Sequence, residues 1–174
     1  VHEKLVADVI PTQISVGALQ RILQSLLSER VSIRDLPAIL EGISEACGYT
    51  RNITAIGEHV RARLARQISH QHTNEIGVIP LLTLSPLWEQ EFARSLSGDG
   101  EDKQLAMAPS KLQEFINALR NVYERHAMMG EVPVLLTSPG IRPYVRSIVE
   151  RFRASTPVLS QNEIHPKAKI KTLG

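Results

Sequence analysis

Few residue groupings in this 174-residue chain are spaced for chemistry. Of six histidines only His70 and His72 lie close together. On a helix a spacing of two turns side chains about 200° apart, so the pair cannot hold one metal ion there. Both read as solvent-facing groups in a last helical turn, where the helix dipole favours them. Ser138, Pro139 and Gly140 follow an apolar run and precede a helical pattern, where open α/β folds cradle phosphate. Yet the proline removes a backbone donor, and no glycine-rich phosphate signature surrounds the single glycine, so helix capping is the favoured reading. Cys47 has no partner cysteine for an intramolecular disulfide, and it reads as a packed, inert thiol. Glu101 and Asp102 read as carboxylates of a solvated loop. Arg61, Arg63 and Arg66 do not share one helical stripe and read first as a solvated surface. His165, Lys167, Lys169 and Lys171 alternate as the outward face of an edge strand would, where lysine discourages aggregation.

The elements that carry these residues fall into two textures. Through residue 73 apolar positions recur at three and four, giving a helical unit. A short helix over 4–10 is closed by Pro11. Ser15 caps the next, with Ile14 and Leu19 as a staple and Val16, Leu19, Ile22, Leu23, Leu26 and Leu27 on its apolar face. Ser32 and Asp35 form a capping box before Leu36, Ile39, Leu40 and Ile43, although Pro37, acceptable only near a helix start, shifts the first turn a residue or two later than the box implies. Gly48 ends that helix, and one longer helix runs from about Ile53 through Ile56, Val60, Leu64 and Ile68.

From residue 74 short β-branched runs alternate with helices, the pattern of strands and crossovers in a mostly parallel sheet. A strand is expected over 76–82, with Pro80 at a sheet edge. Ser85 and Pro86 start a helix through Leu87, Trp88, Phe92 and Leu96. A mobile loop covers 97–109, and Ser110 with Gln113 boxes a helix through Phe115, Leu119 and Tyr123 that stops at Gly130. Strands follow at 134–137, 158–160 and 169–173, with a helix through Ile141, Val145, Ile148 and Phe152 between the first two. The fold class is α+β: an all-α subdomain over 1–73, then a three-layer, flavodoxin- or Rossmann-like α/β subdomain over 74–174.

Composition narrows the function. Residues 1–73 carry eight basic and seven acidic side chains and residues 74–174 twelve and eleven, so neither half has the clustered basic face of a nucleic-acid binder. No apolar run reaches the roughly 18 to 20 residues that span a bilayer. The chain reads as a soluble cytoplasmic piece, and its ends at Val1 and Gly174 read as cut from a longer protein.

The stretches 19–27 (LQRILQSLL), 29–41 (ERVSIRDLPAILE), 60–68 (VRARLARQI), 134–142 (VLLTSPGIR) and 158–164 (VLSQNEI) together resemble the cytoplasmic region of the FHIPEP family, the export-gate proteins of the flagellum and of virulence type III secretion. The block at 29–41 is the most specific, and 158–164 favours the flagellar branch. The resemblance implies a multi-pass protein of the bacterial inner membrane whose four-part cytoplasmic region assembles into a ring. This chain would supply the third, helical part and the fourth, α/β part. Family members dock chaperone–substrate complexes and order their export. Their chaperone groove lies between the first two parts, so none of its residues can be assigned here. The resemblance implies no enzyme, no cofactor and no metal. Ring or partner contacts are expected from the helical part, with Arg34, Asp35, Arg61 and Arg63 as candidates. The competing class is a small α/β ligand-binding or enzymatic domain, which requires a ligand at the strand ends near Ser138.

Overall fold

A computed structural model describes residues 3–10, 13–98 and 103–174. Pro11, Glu101 and Asp102 lie outside the described residues. The chain divides into two compact units, Val1–Ile68 and Ser69–Gly174.

In the first unit, α1 (Glu3–Val9), α2 (Val16–Ser28), α3 (Leu36–Ala46) and α4 (Ile53–Arg63) enclose a core that includes Ile22, Leu26, Ile39, Leu40, Ile56 and Val60. Helix α4 packs on both α2 and α3, and α1 packs on α3. Gly42 permits the α3–α4 approach, since a Cβ there would stand 3.3 Å from Val60 Cγ2. Ser15 caps α2 as expected, its Oγ accepting from the Ala18 N–H at 3.0 Å. Three expectations change. The buried line of α2 is Ala18, Ile22 and Leu26, while Val16 and Leu27 are exposed, because α4 lies over only part of a wide apolar arc. The start of α3 moves to Asp35, whose carboxylate accepts from Ala38 N at 3.2 Å, and Pro37 sits in the first turn. Ser32 instead accepts from Arg34 N. The expected long helix is two, α4 and α5 (Ala65–His72): the Leu64 N–H is shared between the carbonyls of Val60 and Arg61, each 3.0 Å away. Neither proline nor glycine marks that break.

The second unit begins inside α5. It continues through β1 (Ile79–Thr83), α6 (Pro86–Arg94), a hairpin of β2 (Leu96–Ser97) and β3 (Gln104–Leu105), α7 (Pro109–Met128), β4 (Val134–Thr137), α8 (Arg142–Val149), β5 (Val158–Ser160), a 3-10 turn (Gln161–Glu163) and β6 (Ile170–Thr172). The four-stranded sheet has the order β5-β4-β1-β6 with every pairing parallel. Leu82, Leu135 and Val158 stand in register across three strands and share a core with Phe92, Phe115, Leu119, Val145 and Val149 of α6, α7 and α8. The Phe115 ring meets Phe92 and Trp88 edge to face, with centroids 5.0 and 5.2 Å apart.

Several boundaries of this unit differ from the expectation. Ile76 is exposed outside β1, in a turn where Asn74 Oδ1 accepts from Ile76 N and Val78 N. β1 is an internal strand, yet Pro80 is tolerated. The N–H groups of Ile79 and Thr83 point to the β6 side, so the missing Pro80 donor would face β4, whose pairing starts only at Leu81. Leu87 is exposed, and Leu96 belongs to the hairpin that replaces the near end of the expected loop. Pro109 opens α7 with no side-chain cap, so Ser110 is not the capping residue. Likewise α8 starts at Arg142 after Ile141, not at Ser138. β6 takes the sheet edge with Lys169 and Lys171 exposed.

α7 closes in a Schellman pattern in which Gly130 N donates to Ala127 O and Glu131 N to His126 O, with Gly130 at φ 74°. A Cβ at Gly130 meets nothing within 4 Å, so Gly130→Ala tests backbone strain alone. Urea denaturation should show a loss of about 1 kcal/mol with an unchanged slope.

Candidate functional site: strand ends and charged surfaces

Parallel α/β folds hold ligands at the C-terminal ends of their strands, so the ends of β4 and β5 are the first place to look. At the end of β4 the Ser138 N–H donates to Glu89 Oε1 at 2.9 Å and its hydroxyl donates to Glu89 Oε2 at 2.5 Å. Glu89 reaches there from the first turn of α6, which Ser85 caps by accepting from Trp88 N. The donors that could meet an anion therefore meet the protein's own carboxylate. At the end of β5 the Ser160 N–H donates to Glu163 Oε2 at 2.6 Å. Glu163 is buried beside Arg142, whose Nε stands 3.8 Å from the same oxygen and whose Nη1 donates to Val158 O at 2.8 Å. The Ser69 hydroxyl donates to Glu163 O and accepts from His165 N, fixing the turn after β5.

Arg146 braces the preceding loop from α8, donating to the carbonyls of Ala154 and Thr156 at 3.1 and 3.0 Å. Tyr123 donates to Pro133 O at 3.1 Å, and burial pushes its phenol well above the usual range, with Arg153 over its ring acting in the opposite direction. Glu89, Arg142, Arg146 and Glu163 were not among the expected site residues. Glu163 carried a signal, the S-x-x-E spacing within VLSQNEI. The Arg142 and Arg146 pair, one turn apart and each directly after an apolar position, Ile141 or Val145, carried another. Glu89 and Ser138 lie 49 residues apart, and no local pattern joins them.

On the helical unit the four candidate contact residues divide. Arg34 is exposed, with no side-chain partner among the described residues, and Asp35 is exposed but caps α3. Arg61 is only 4% exposed and stands 3.5 Å from Glu29, so its charge faces inward. Arg63 grips Glu41 and, at 2.6 Å, Glu45, which lie one turn apart on α3. His59, one turn before Arg63, approaches Glu45 Oε2 at 2.9 Å and the Tyr49 hydroxyl at 3.0 Å. The hydrogen bond from His59, aided by the charge of Arg63, holds the Glu45 carboxyl below the usual glutamate range. These contacts tie α3 to α4 within the unit.

Cys47 is half-buried at the end of α3, not fully packed as expected. His70 is exposed, and among the described residues no cluster of three His, Cys, Asp or Glu is placed to hold a metal. Among the described residues no helix is long and apolar enough to cross a membrane.

Residues 1–169 match the FHIPEP family. The Flagellar biosynthesis protein FlhA of Caulobacter vibrioides is 59% identical over 173 residues, covering 99% of this chain and 25% of that protein. The electron cryo-microscopy structure of nonameric EPEC SctV-C superposes with a TM-score of 0.87 at 27% identity, over 99% of this chain and 52% of that one. The Chlamydia pneumoniae CdsV in its complex with CdsO gives 0.83 at 28% identity, over 98% and 49%. The chain thus spans about a quarter of its curated relative and about half of these solved chains.

The buried pair at the end of β5 makes a sharp stability prediction. Glu163→Ala leaves Arg142 buried without its carboxylate and the Ser160 N–H without its acceptor, and should cost about 3 to 5 kcal/mol. Chemical denaturation followed by Trp88 fluorescence, which reports this unit, measures it.

Proposed function

The chain belongs to the FHIPEP family, and from that premise we propose that its two units are part of the cytoplasmic docking platform of a flagellar protein export gate. The observation that carries this reading is the 59% identity to FlhA of Caulobacter vibrioides along nearly the whole chain. The much lower identity to the EPEC and Chlamydia proteins favours the flagellar system over a virulence one. In this reading the helical unit and the α/β unit are the third and fourth parts of the cytoplasmic region, held at the inner membrane by segments outside this chain.

Self-association into a ring is proposed by analogy with the nonameric SctV-C. Arg34, exposed beside the α3 cap, is the candidate charge for a subunit contact, with Asp35 next to it. Arg61 and Arg63 serve that contact indirectly, by holding the helices that present Arg34. A complex with CdsO is recorded for the Chlamydia relative, which supports an export-apparatus partner for this chain as well. Chaperone–substrate complexes engage the platform through the rest of the cytoplasmic region. The chain works by binding and not by catalysis, a reading supported by the Glu89 and Glu163 carboxylates that occupy the strand-end donors. A platform that hands on cargo needs packed modules with exposed docking faces, and no reactive group.

Co-purification from flagellated cells tests this, using as baits the present chain and a longer one extended through the preceding cytoplasmic residues. The longer bait should retain flagellar export chaperones, identified by mass spectrometry. Failure of both baits to retain any export component, with saturable binding of a nucleotide by the present chain, would contradict the proposal.

A further inference from the structure

Six positions of α7 recur at three and four along one stripe: Phe115, Ala118, Leu119, Val122, Arg125 and His126. Phe115 and Leu119 join the core beneath, while Ala118 and Arg125 are exposed. This stripe forms one wall of a groove of about 380 Å³. Trp88 at the start of α6, the end of β1 and the Leu173–Gly174 segment form the others. The volume is at the small end for a ligand site, enough for one or two large side chains. The lining is mostly apolar, and the last turn of α7 adds Arg125 and His126 to it.

There Arg125 is exposed and has no ion-pair partner among the described residues. Next to it His126 is 8% exposed, its Nδ1 has no hydrogen-bond partner among the described residues, and Glu131 Oε1 stands 3.5 Å away. The apolar surface does not stop at the groove. Leu87, 78% exposed, and Trp88 form a ridge, and beyond it lies a second depression of about 290 Å³ bordered by Lys111 and Glu114. A small metabolite would fill the groove and leave that ridge wet. A protein segment covers both, and a tryptophan with a nearby arginine is the composition that anchors such contacts.

We propose that this groove docks a segment of a partner protein presenting a bulky apolar side chain beside a carboxylate. The apolar group enters against Trp88, Phe115 and Leu119, and the carboxylate meets Arg125. The inference stands on the geometry of the α/β unit and does not rest on the export reading.

Trp88 is the single tryptophan of the chain, so its fluorescence reports the groove directly. The probe is a blocked peptide in which phenylalanines alternate with glutamates, compared with the same peptide carrying lysines in place of the glutamates. The acidic peptide should give a saturable change, and the lysine peptide should bind about tenfold more weakly or worse. Arg125→Glu should reverse that preference. Ala118→Phe, at an exposed position on the wall, should weaken both peptides by about tenfold or more. Circular dichroism checks that each variant keeps its fold. The proposal is overturned by the absence of saturable binding, by equal affinity for the two peptides, or by binding that survives Ala118→Phe. N-acetylphenylalanine binding as tightly as the acidic peptide would overturn the protein-segment assignment in favour of a small ligand.

Discussion

Two carboxylates hold the C-terminal edge of the parallel sheet: Glu89 bridges the Ser138 amide and hydroxyl, and Glu163 takes the Ser160 amide. A strand that ends before a helix or turn leaves backbone donors that are costly to bury unmet. In a ligand-binding α/β domain a bound anion answers that demand. Here α6 delivers Glu89 to β4, and the turn after β5 delivers Glu163, which Arg142 neutralises in the interior. The same contacts fix where α6 starts relative to β4 and how the chain leaves β5. Fold stability and the use of the strand ends are thus tied to one interaction type.

The helical unit uses charge for the same end. Glu41 and Glu45 on one turn of α3 meet His59 and Arg63 on one turn of α4, and Arg61 lies inward beside Glu29. Arginines that read from spacing as a solvated surface are largely committed to holding helices together. Exposed surface is then left to other groups, such as Arg34, Leu87 and Arg125.

What the sequence made legible was local. Ser15 and Ser85 were readable as caps because a capping bond spans three residues, and Gly130 as a stop because φ 74° favours glycine. Strands 134–137 and 158–160 announced themselves as short apolar runs. The start of α3 was misplaced because the Ser32–Asp35 spacing reads as a capping box opened by Ser32, whereas Asp35 is the cap and Pro37 sits in the first turn. The α2 face was misread at Val16 and Leu27, since hydrophobicity marks a broad arc and only the neighbouring helix selects which part is buried. The break at Leu64 has no residue-type signal. The strand-end site was half legible, through the Ser160 and Glu163 spacing, and half not, because Glu89 meets Ser138 only through the fold.

At the strand ends the protein's own carboxylates take the donors that an anion would need. Titration of the chain with ATP and with inorganic phosphate, at constant ionic strength and followed through the Ser138 and Ser160 amide signals in two-dimensional NMR spectra, tests it most directly. Neither amide should shift beyond the small drift shared by surface residues. Saturable shifts confined to these two amides would show an open anion site and contradict it.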